Sequence, residues 1–344
     1  MQMRPLGESG IQASAVAFGA WAIGGWMWGG ADEKDAIDAI HAAIDNGINL
    51  IDTAPMYGFG RSEEVVGKAI KGKRDKVIVA TKSSLIWDGT GTDGTYHFST
   101  DEFAKIVDDT TKPKYDVYIN GRPKHIRKGV EDSLRRLGTD VIDLFQTHWQ
   151  DKTTPIADTM GELMRLKKEG KIRAIGCSNA NPGQMDEYRA VGQLDCDQEK
   201  YNMLDRGMEE TNLPYCAKNN IAFLAYSPLA QGLLTGAVGP DRVFEKSDQR
   251  SFNPRYSLEN RRKIADFLET VKPVADAYQA TYAQIVTAWT LSQPGCTHTL
   301  LGARNVKQVT ENARGGSILL DSAAVEAINK AMKDKLGDVA SHSF

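Results

Sequence analysis

The sequence predicts an α/β fold, a (β/α)8 TIM barrel with long β-α loops on its catalytic face. Eight short apolar runs alternate with segments whose apolar residues recur at helical spacing, which is typical of consecutive parallel β-α units. The chain has 344 residues, about 90 more than the roughly 250 that such a barrel needs. Most of this surplus lies in two long connections, each of which follows a predicted strand.

The predicted elements keep this alternation along the whole chain. Strands are predicted at 15–18, 48–51, 77–80, 141–145, 172–175, 196–199, 221–225 and 297–301. Helices are predicted at 36–44, 63–70, 126–137, 160–167, 184–191, 208–218, 258–277, 282–292, 306–313 and 322–333. Gly47 and Gly138 follow two of these helices at the position where glycine commonly ends a helix.

An open, doubly wound sheet is the structural alternative. Such a sheet carries a glycine fingerprint in the turn after its first strand, and the segment 19–25 does not match that fingerprint. The segment 89–94 matches G-x-G-x-x-G by letter, but it lies in a long polar stretch and not between a strand and a helix. The barrel is therefore favoured, with 89–94 expected to form a loop.

The domain prediction is one barrel over residues 1–344, with residues 83–122 inserted after the third strand. A β-α loop usually has about 2–6 residues, so this insertion is unusually long, and only a short helix at 100–107 is expected within it. Because β-α loops lie on the catalytic face of such barrels, the insertion is expected to serve as a lid or pocket wall. A second long connection, 229–257, lies on the same face.

Composition excludes several classes of function. The 42 basic and 45 acidic side chains give a net charge of −3, whereas a nucleic-acid binder usually has a basic excess, so no nucleic-acid partner is expected. The apolar runs are too short to span a bilayer and the amino terminus lacks a signal-type core, so a cytoplasmic protein is expected. The four cysteines and six histidines form no metal-binding pattern, so no metal is expected. The oligomeric state stays open.

Four polar residues lie where the carboxyl ends of three adjacent strands are predicted. Asp52, Lys82 and His148 end the second, third and fourth strands, and Tyr57 lies in the loop after Asp52. Each residue alone has an ordinary structural explanation: Asp52 as a turn cap, Lys82 in an ion pair and Tyr57 as a packed aromatic. Their joint position at the catalytic rim is harder to explain in that way.

These residue types suit carbonyl reduction. A free tyrosine has a pKa of about 10, and a neighbouring lysine is expected to lower that pKa because it favours the phenolate. Asp52 would hold Lys82 charged and fixed. Tyr57 would then protonate an alkoxide as hydride arrives, and His148 would donate a hydrogen bond to the carbonyl oxygen.

Eight sequence motifs give the chain a resemblance to a known family. They lie at 47–58, 60–70, 82, 133–148, 171–179, 198–202, 225–236 and 300–312, and they include GINLIDTAPMYG, SLRRLGTDVIDLFQTH and AYSPLAQGLLTG. The chain resembles the aldo-keto reductases over almost its whole length. It is most similar to the bacterial and plant-type sugar and aldehyde reductases, which are related to potassium-channel β-subunits. The insertion at 83–122 and the loop with Trp26 and Trp28 depart from the family pattern.

The resemblance implies the catalytic tetrad Asp52, Tyr57, Lys82 and His148, together with an NADP (NADPH) cofactor. It implies cofactor contacts from Gly19, Ala20, Trp21, Asp52, Ser178, Asn179, Gln198, Tyr226, Ser227, Pro228, Leu229, Gln231, Gly232, Gly302, Arg304, Gln308, Glu311 and Asn312. In this scheme Tyr226 stacks on the nicotinamide ring. The guanidinium of Arg304 is suited to a 2′-phosphate, which favours NADP.

The substrate pocket is expected to contain Trp21, Trp28, Tyr57, Trp87, His148 and Trp149. Its four tryptophans suit sugar C–H faces or an apolar carbonyl. The resemblance implies an NADP(H)-dependent oxidoreductase of carbohydrate metabolism that acts on a small aldehyde, ketone or sugar. Two alternatives remain open. One is a redox-neutral sugar epimerase or isomerase with tightly held NADP(H), and the other is a cofactor-binding regulatory subunit.

Overall fold

The computed structural model describes residues 1–28, 31–100, 114–246, 248–337 and 339. Within them lie the strands β1 (Met3–Pro5), β2 (Gln12–Ser14), β3 (Val16–Gly19), β4 (Leu50–Asp52), β5 (Ile78–Ser83), β6 (Leu85–Ile86), β7 (Thr95–Ser99), β8 (Asp116–Ile119), β9 (Ile142–Thr147), β10 (Ile172–Ser178), β11 (Cys196–Lys200), β12 (Ala222–Tyr226) and β13 (Cys296–Gly302). The helices are α1 (Glu33–Asp45), α2 (Arg61–Ile70), α3 (Pro123–Leu137), α4 (Ile156–Lys168), α5 (Pro182–Val191), α6 (Asn212–Lys218), α7 (Leu258–Ala277), α8 (Tyr282–Ser292), α9 (Val306–Gly315) and α10 (Ser322–Lys335).

Eight parallel strands close into a barrel in the order β3-β4-β5-β9-β10-β11-β12-β13, and β13 pairs with β3. The predicted (β/α)8 fold is confirmed, and each predicted strand corresponds to one barrel strand. The strands extend beyond their predicted carboxyl ends because polar residues there still pair, as Ser83 does with Thr147 and Ser178 with Gln198. This extension places several predicted site residues on the rigid sheet itself.

Small and branched apolar side chains fill the interior of the barrel, while larger ones fill the layer between strands and helices. Burial of this apolar surface is the main favourable term in folding. The predicted helix 208–218 is interrupted, because Gly207–Glu209 forms a short 3-10 turn before α6. None of the described helices is long and apolar enough to cross a membrane.

The amino terminus forms a hairpin that the sequence analysis did not predict. Strands β1 and β2 pair antiparallel, and Leu6 and Ile11 from the turn region pack into the interior cluster. Arg4 donates Nη1 to the carbonyl oxygens of Cys296 and Thr297, both at 3.0 Å. The hairpin therefore covers the amino-terminal end of the barrel and leaves the opposite end for the site. Three-residue strands are too short for a periodic signal.

The insertion after β5 contains a small antiparallel sheet with the order β6-β8-β7, which was also not predicted. Its apolar face packs on Met56 and Phe59 of the loop after β4. The segment 89–94 forms the turn between β6 and β7, so the prediction of a loop there is confirmed. The helix expected at 100–107 lies, apart from Thr100, outside the described residues.

Candidate active site

Lys82 is the centre of the predicted tetrad. Its Nζ donates to Asp52 Oδ1 at 2.7 Å, to the Thr53 carbonyl oxygen at 2.9 Å and to the Tyr57 hydroxyl at 3.3 Å. Lys82 is fully buried and Asp52 is 3% exposed. The rings of Tyr57 and His148 lie nearly perpendicular, with centroids 6.0 Å apart. The structure therefore brings all four residues together.

Close backbone packing fixes Tyr57 above the lysine. Gly58 has a φ of 70°, and a Cβ atom on it would overlap the carbonyl oxygen of Gly24. Below the loop, Ser62 Oγ donates to the Ala20 carbonyl oxygen at 2.8 Å and is hydrogen-bonded to Thr53 Oγ1 at 2.8 Å. The loops after β3 and β4 are thus joined, and the phenol is held in one place.

The electrostatics of the tetrad correct one expectation from the sequence. Burial raises the pKa of Tyr57 above its ordinary value of 10.0, and the Lys82 ammonium opposes this rise without reversing it. Burial lowers the pKa of Lys82, but the charge of Asp52 and the Tyr57 contact outweigh it, so the net shift is upward and Lys82 stays charged. Tyr57 therefore keeps its hydroxyl proton at pH 7, beside a fixed cation.

His148 is uncharged at neutral pH. Burial, with the positive charges of Lys82 and His97, holds the pKa of His148 well below its ordinary 6.5. A neutral imidazole carries one N–H and one free nitrogen lone pair. His148 can therefore donate one hydrogen bond into the cavity without carrying a charge.

Asp52 has a second set of partners inside the barrel. Its Oδ2 accepts a hydrogen bond from Gln198 Nε2 at 2.9 Å and faces Gln146 Nε2 at 3.5 Å. Gln146 was missed by the sequence analysis, although a polar residue two positions before His148, on the inward face of a strand, was an available signal. These amides orient the carboxylate that holds Lys82.

A cavity of about 690 Å³ opens beside the tetrad at the carboxyl end of the barrel. Its lining includes most of the predicted cofactor and pocket residues: Gly19, Trp21, Trp28, Asp52, Tyr57, His148, Trp149, Ser178, Asn179, Gln198, Tyr226, Ser227, Pro228, Leu229, Gln231, Gly232, Gly302, Arg304, Gln308, Glu311 and Asn312. The structure thus gathers on one cavity wall residues that are spread over nearly 300 positions of sequence.

Two residues of the sequence prediction lie elsewhere. Ala20 is fully buried, and its backbone N–H donates to the Asp52 carbonyl oxygen at 2.8 Å. Trp87, expected in the substrate pocket, instead packs edge-on against Phe59 with centroids 5.8 Å apart, in the apolar cluster under the inserted sheet. Its strand β6 presents it to that cluster, which the sequence could not indicate without the sheet pairing.

Strained backbone marks the cavity wall. Asn179, Ser227 and Gln231 have φ values of 57°, 55° and 53°, a region that residues other than glycine rarely adopt. Asn179 is held by its side chain, because Nδ2 donates to the His148 carbonyl oxygen and Oδ1 accepts from the Tyr226 hydroxyl, both at 3.0 Å. Such strain concentrates at functional sites. Residue types alone do not indicate that these three residues adopt a left-handed backbone conformation.

The outer end of the cavity carries three arginines, of which the sequence analysis named only Arg304. Arg242 and Arg250 also line the cavity. Arg250 is bound by Asp248, with Nε to Oδ1 at 2.9 Å and Nη2 to Oδ2 at 2.6 Å. Arg304 donates Nη1 to the Trp28 carbonyl oxygen at 3.2 Å. Arginines of the 229–257 connection thus face the loop after β13.

Comparisons with known proteins agree with this geometry. The model of the aldo/keto reductase family matches residues 15–333. The NADH-specific methylglyoxal reductase of Escherichia coli is 42% identical over 329 residues, which cover 94% of this chain and 96% of that protein.

Solved structures give the same relationship. The glycerol dehydrogenase of Gluconobacter oxydans is 39% identical with a TM-score of 0.84, over 99% of this chain and 98% of its own. An aldo-keto reductase of Klebsiella pneumoniae in complex with NADPH is 25% identical with a TM-score of 0.69, over 98% and 96%. The family match encloses the whole barrel and the buried cluster around Lys82, so this chain belongs to the aldo/keto reductase family and is an oxidoreductase of that family.

Proposed function

We propose that the protein transfers a hydride between NADP(H) and the carbonyl or alcohol carbon of a small neutral aldehyde, ketone or sugar. The observation that carries this proposal is the position of the Tyr57 hydroxyl. It lies 3.3 Å from the buried Lys82 ammonium and beside the neutral His148, on the wall of the cavity. A proton donor and a hydrogen-bond donor are therefore placed together where a carbonyl oxygen can bind.

The cavity residues fit a nicotinamide dinucleotide. Amide groups of Asn179 and Gln198 and the ring of Tyr226 lie near the tetrad, while arginines lie at the outer end. Trp28 Nε1 is buried in this wall and has no hydrogen-bond partner among the described residues. We assign the nicotinamide to the tetrad end and the adenosine phosphate to the arginine end. When bound, the nicotinamide supplies or accepts the hydride.

The protein's own residues handle the proton. In reduction, Tyr57 gives its hydroxyl proton to the carbonyl oxygen, and the resulting phenolate is stabilised by Lys82 at 3.3 Å. The N–H of His148 donates a hydrogen bond to the same oxygen. In oxidation the phenolate takes the proton back from the alcohol. Asp52 keeps Lys82 charged and in place throughout, through the 2.7 Å ion pair.

Aromatic walls support a small, uncharged substrate. Trp21 and Trp28 meet edge to face with centroids 5.2 Å apart, and Trp21 lies 6.1 Å from the Tyr57 ring. The inserted sheet adds His97, whose ring lies 5.3 Å from that of Trp149. We therefore propose that residues 1–344 are one domain. In this domain the 83–122 insertion supports the pocket wall, because His97 contacts Trp149, which lines the cavity.

A panel of carbonyls tests the function. Purified protein with NADPH and methylglyoxal, glyceraldehyde or an aldose is expected to consume NADPH, and NADP with glycerol is expected to be reduced. The loss or gain of nicotinamide absorbance is the measurement. NADPH binding with no turnover on any member of the panel would instead favour the regulatory-subunit alternative.

The redox-neutral alternative has one specific observation in its favour. Trp28 forms an isolated β-bridge with Asp248, and the Gln249 N–H donates to the Met27 carbonyl oxygen at 3.2 Å. Two loops thus meet over the cavity, which suits a slowly released cofactor. NADP(H) that stays bound through gel filtration, with sugar conversion and no added cofactor, would support an epimerase or isomerase. Turnover that requires free NADPH would exclude it.

The choice of NADP over NAD rests on the arginines. Burial and the charges of Arg250 and Arg242 lower the pKa of Arg304, and the charge of Asp248 opposes them. Arg250 is already bound by Asp248, whereas the hydrogen bond from Arg304 goes to an uncharged carbonyl oxygen. A 2′-phosphate would add an anionic partner that Arg304 can bind in bidentate geometry. Glu311 also lines the cavity. A glutamate suits the ribose 2′-hydroxyl of NAD, so this residue favours NAD and opposes the effect of the arginines.

Replacing Arg304 by alanine is expected to raise the Kd for NADPH by about 10- to 100-fold, because a charge-assisted contact is lost. The Kd for NADH should change by less than about twofold. Fluorescence titration with both nucleotides is the measurement. Arg314→Ala, a change of the same charge in the last turn of α9, is the matched control. Equal losses for NADPH and NADH would contradict the assignment of the 2′-phosphate to Arg304.

A further inference from the structure

Two carboxyl groups lie behind the wall of the cavity, on the opposite face of the strand from Gln198. Asp197 and Glu199 flank Gln198 on β11 and are 0% and 4% exposed. The two carboxyl groups are adjacent, and with one proton between them they form a hydrogen bond. Because residues alternate along a strand, Gln198 faces the tetrad while its two neighbours face the surrounding helices.

These carboxyl groups take part in a closed ring of hydrogen bonds around one residue. Glu199 Oε1 accepts from the backbone N–H of Ala180 at 2.7 Å. Asn212 Nδ2 donates to the Ala180 carbonyl oxygen at 2.7 Å and to Asp197 Oδ2 at 2.8 Å. The bond between Asp197 and Glu199 closes the ring. Both polar backbone groups of Ala180 are therefore held by side chains.

Ala180 directly follows the strained Asn179. The backbone N–H of Asn179 donates to the Gln198 carbonyl oxygen at 3.2 Å, and the φ of 57° at Asn179 must be maintained by its surroundings. The Asn179 side chain in turn joins His148 to Tyr226 through two 3.0 Å hydrogen bonds. A shift of this short segment would therefore move the residues assigned above to the nicotinamide.

The pair keeps a proton at neutral pH. Burial and the charge of Asp197 raise the pKa of Glu199 to about 10, and burial raises that of Asp197 to about 6. The groups facing them are uncharged: the amide of Asn212 and the thiols of Cys177 and Cys216, at 3.5 and 3.8 Å from the Asp197 carboxyl oxygens. Two adjacent buried carboxylates repel each other, so one shared proton is the stable arrangement.

We propose that Asp197 and Glu199 form a hydrogen-bonded carboxyl pair that positions the Asn179–Ala180 segment, and through it the nicotinamide and His148. This inference rests on the proposed function, since it needs a nicotinamide beside Asn179. Neither carboxyl group lines the cavity, so the pair would touch neither substrate nor cofactor. Its two members are positioning residues, and the sequence Asp-Gln-Glu at 197–199 combines them with the cavity-facing Gln198.

The test replaces Glu199 by methionine, which keeps the volume and removes the hydrogen-bond acceptor. The buried N–H group of Ala180 then loses its partner, and the Kd for NADPH is expected to rise about tenfold. We expect kcat to fall by a similar factor because hydride alignment is lost, while KM for the carbonyl stays within about twofold. Glu199→Gln keeps an acceptor for the Ala180 N–H and a donor for Asp197, so it should restore both constants.

A matched control separates positioning from stability. Asp195 Oδ2 accepts the backbone N–H of Ile175 at 3.0 Å, a contact of the same kind between the same two strand segments, farther from the cavity. Asp195→Leu should lower the melting temperature and leave the NADPH Kd unchanged. If Glu199→Met does not fold, Asn212→Leu opens the ring at the carbonyl of Ala180 and should raise the NADPH Kd by about threefold.

The outcomes are distinguishable. If Glu199→Met, or Asn212→Leu where it is the folded variant, binds NADPH as the wild type does, the positioning role is wrong and the proposed function stands. An effect of Asp195→Leu as large as that of Glu199→Met also overturns the role. A wild-type protein that binds NADPH but reduces no carbonyl contradicts the proposed function, while the titrations still decide the role. A wild-type protein that binds no NADPH overturns both.

Discussion

Replacing Tyr57 by phenylalanine is expected to lower kcat for carbonyl reduction by about 10³-fold, since general acid catalysis typically contributes 10²- to 10⁴-fold. The phenylalanine ring keeps the packing against Trp21, whose centroid lies 6.1 Å away, but it has no proton to give. The Lys82 ammonium, 3.3 Å from the lost hydroxyl, keeps Asp52 as its partner. The fold and the NADPH affinity should therefore change little.

Steady-state turnover and an NADPH titration measure the two effects separately. Tyr215→Phe is the matched control, because the Tyr215 hydroxyl contacts Asp186 and Arg189 on the protein surface and not the cavity. Its kcat should equal that of the wild type. Retention of more than about a tenth of wild-type kcat in Tyr57→Phe would contradict the acid–base role of the phenol.

Replacing Lys82 by methionine is expected to reduce both turnover and stability. The buried carboxylate of Asp52 loses the cation that lies 2.7 Å away, and breaking a buried pair on one side costs about 3–5 kcal/mol of unfolding free energy. Tyr57 loses the charge that stabilises its phenolate, so kcat should fall by at least about 10²-fold. Thermal or denaturant unfolding and steady-state kinetics are the measurements.

The double variant Asp52→Asn/Lys82→Met separates the two effects. With both charges removed, no unpaired ion is left in the barrel, so much of the lost stability should return. Turnover should stay low because the cation beside Tyr57 is still absent. A double variant that regains wild-type kcat would show that Lys82 acts only through stability and would contradict its role beside the phenol.

The sequence predicted the barrel well because its signals are local. Each barrel strand is a short run of buried residues such as Ile142–Thr147, and each helix has an apolar face, so the alternation of elements is visible in residue types. The two small sheets were missed for the opposite reason. Strands of two to five residues, as in β6 and β7, gain their stability from partners distant in sequence, and no periodicity can be seen over so few positions.

The same contrast between local and long-range information applies to the residues of the site. Asp52, Tyr57, Lys82 and His148 were named from their positions at predicted strand ends, and the structure brings them together. The expected lowering of the Tyr57 pKa was wrong, because burial outweighs the effect of Lys82 and burial depends on the whole surrounding structure. The structure places Trp87 in the apolar cluster with Phe59, which the sequence could not indicate because the pairing of β6 with β8 is not visible in it.

The sequence by itself therefore determined the order of elements, the barrel and the residue types at its rim. Strand ends and helix faces can be recognised from the order of apolar and polar residues along the chain. Tertiary structure alone decided which polar groups are desolvated, which backbone is held in left-handed conformations at Asn179 and Ser227, and which arginines face the cavity. It also closed the ring of Asp197, Glu199 and Asn212 around Ala180. Those properties depend on distances between residues far apart in the chain, and such distances exist only after the barrel has closed.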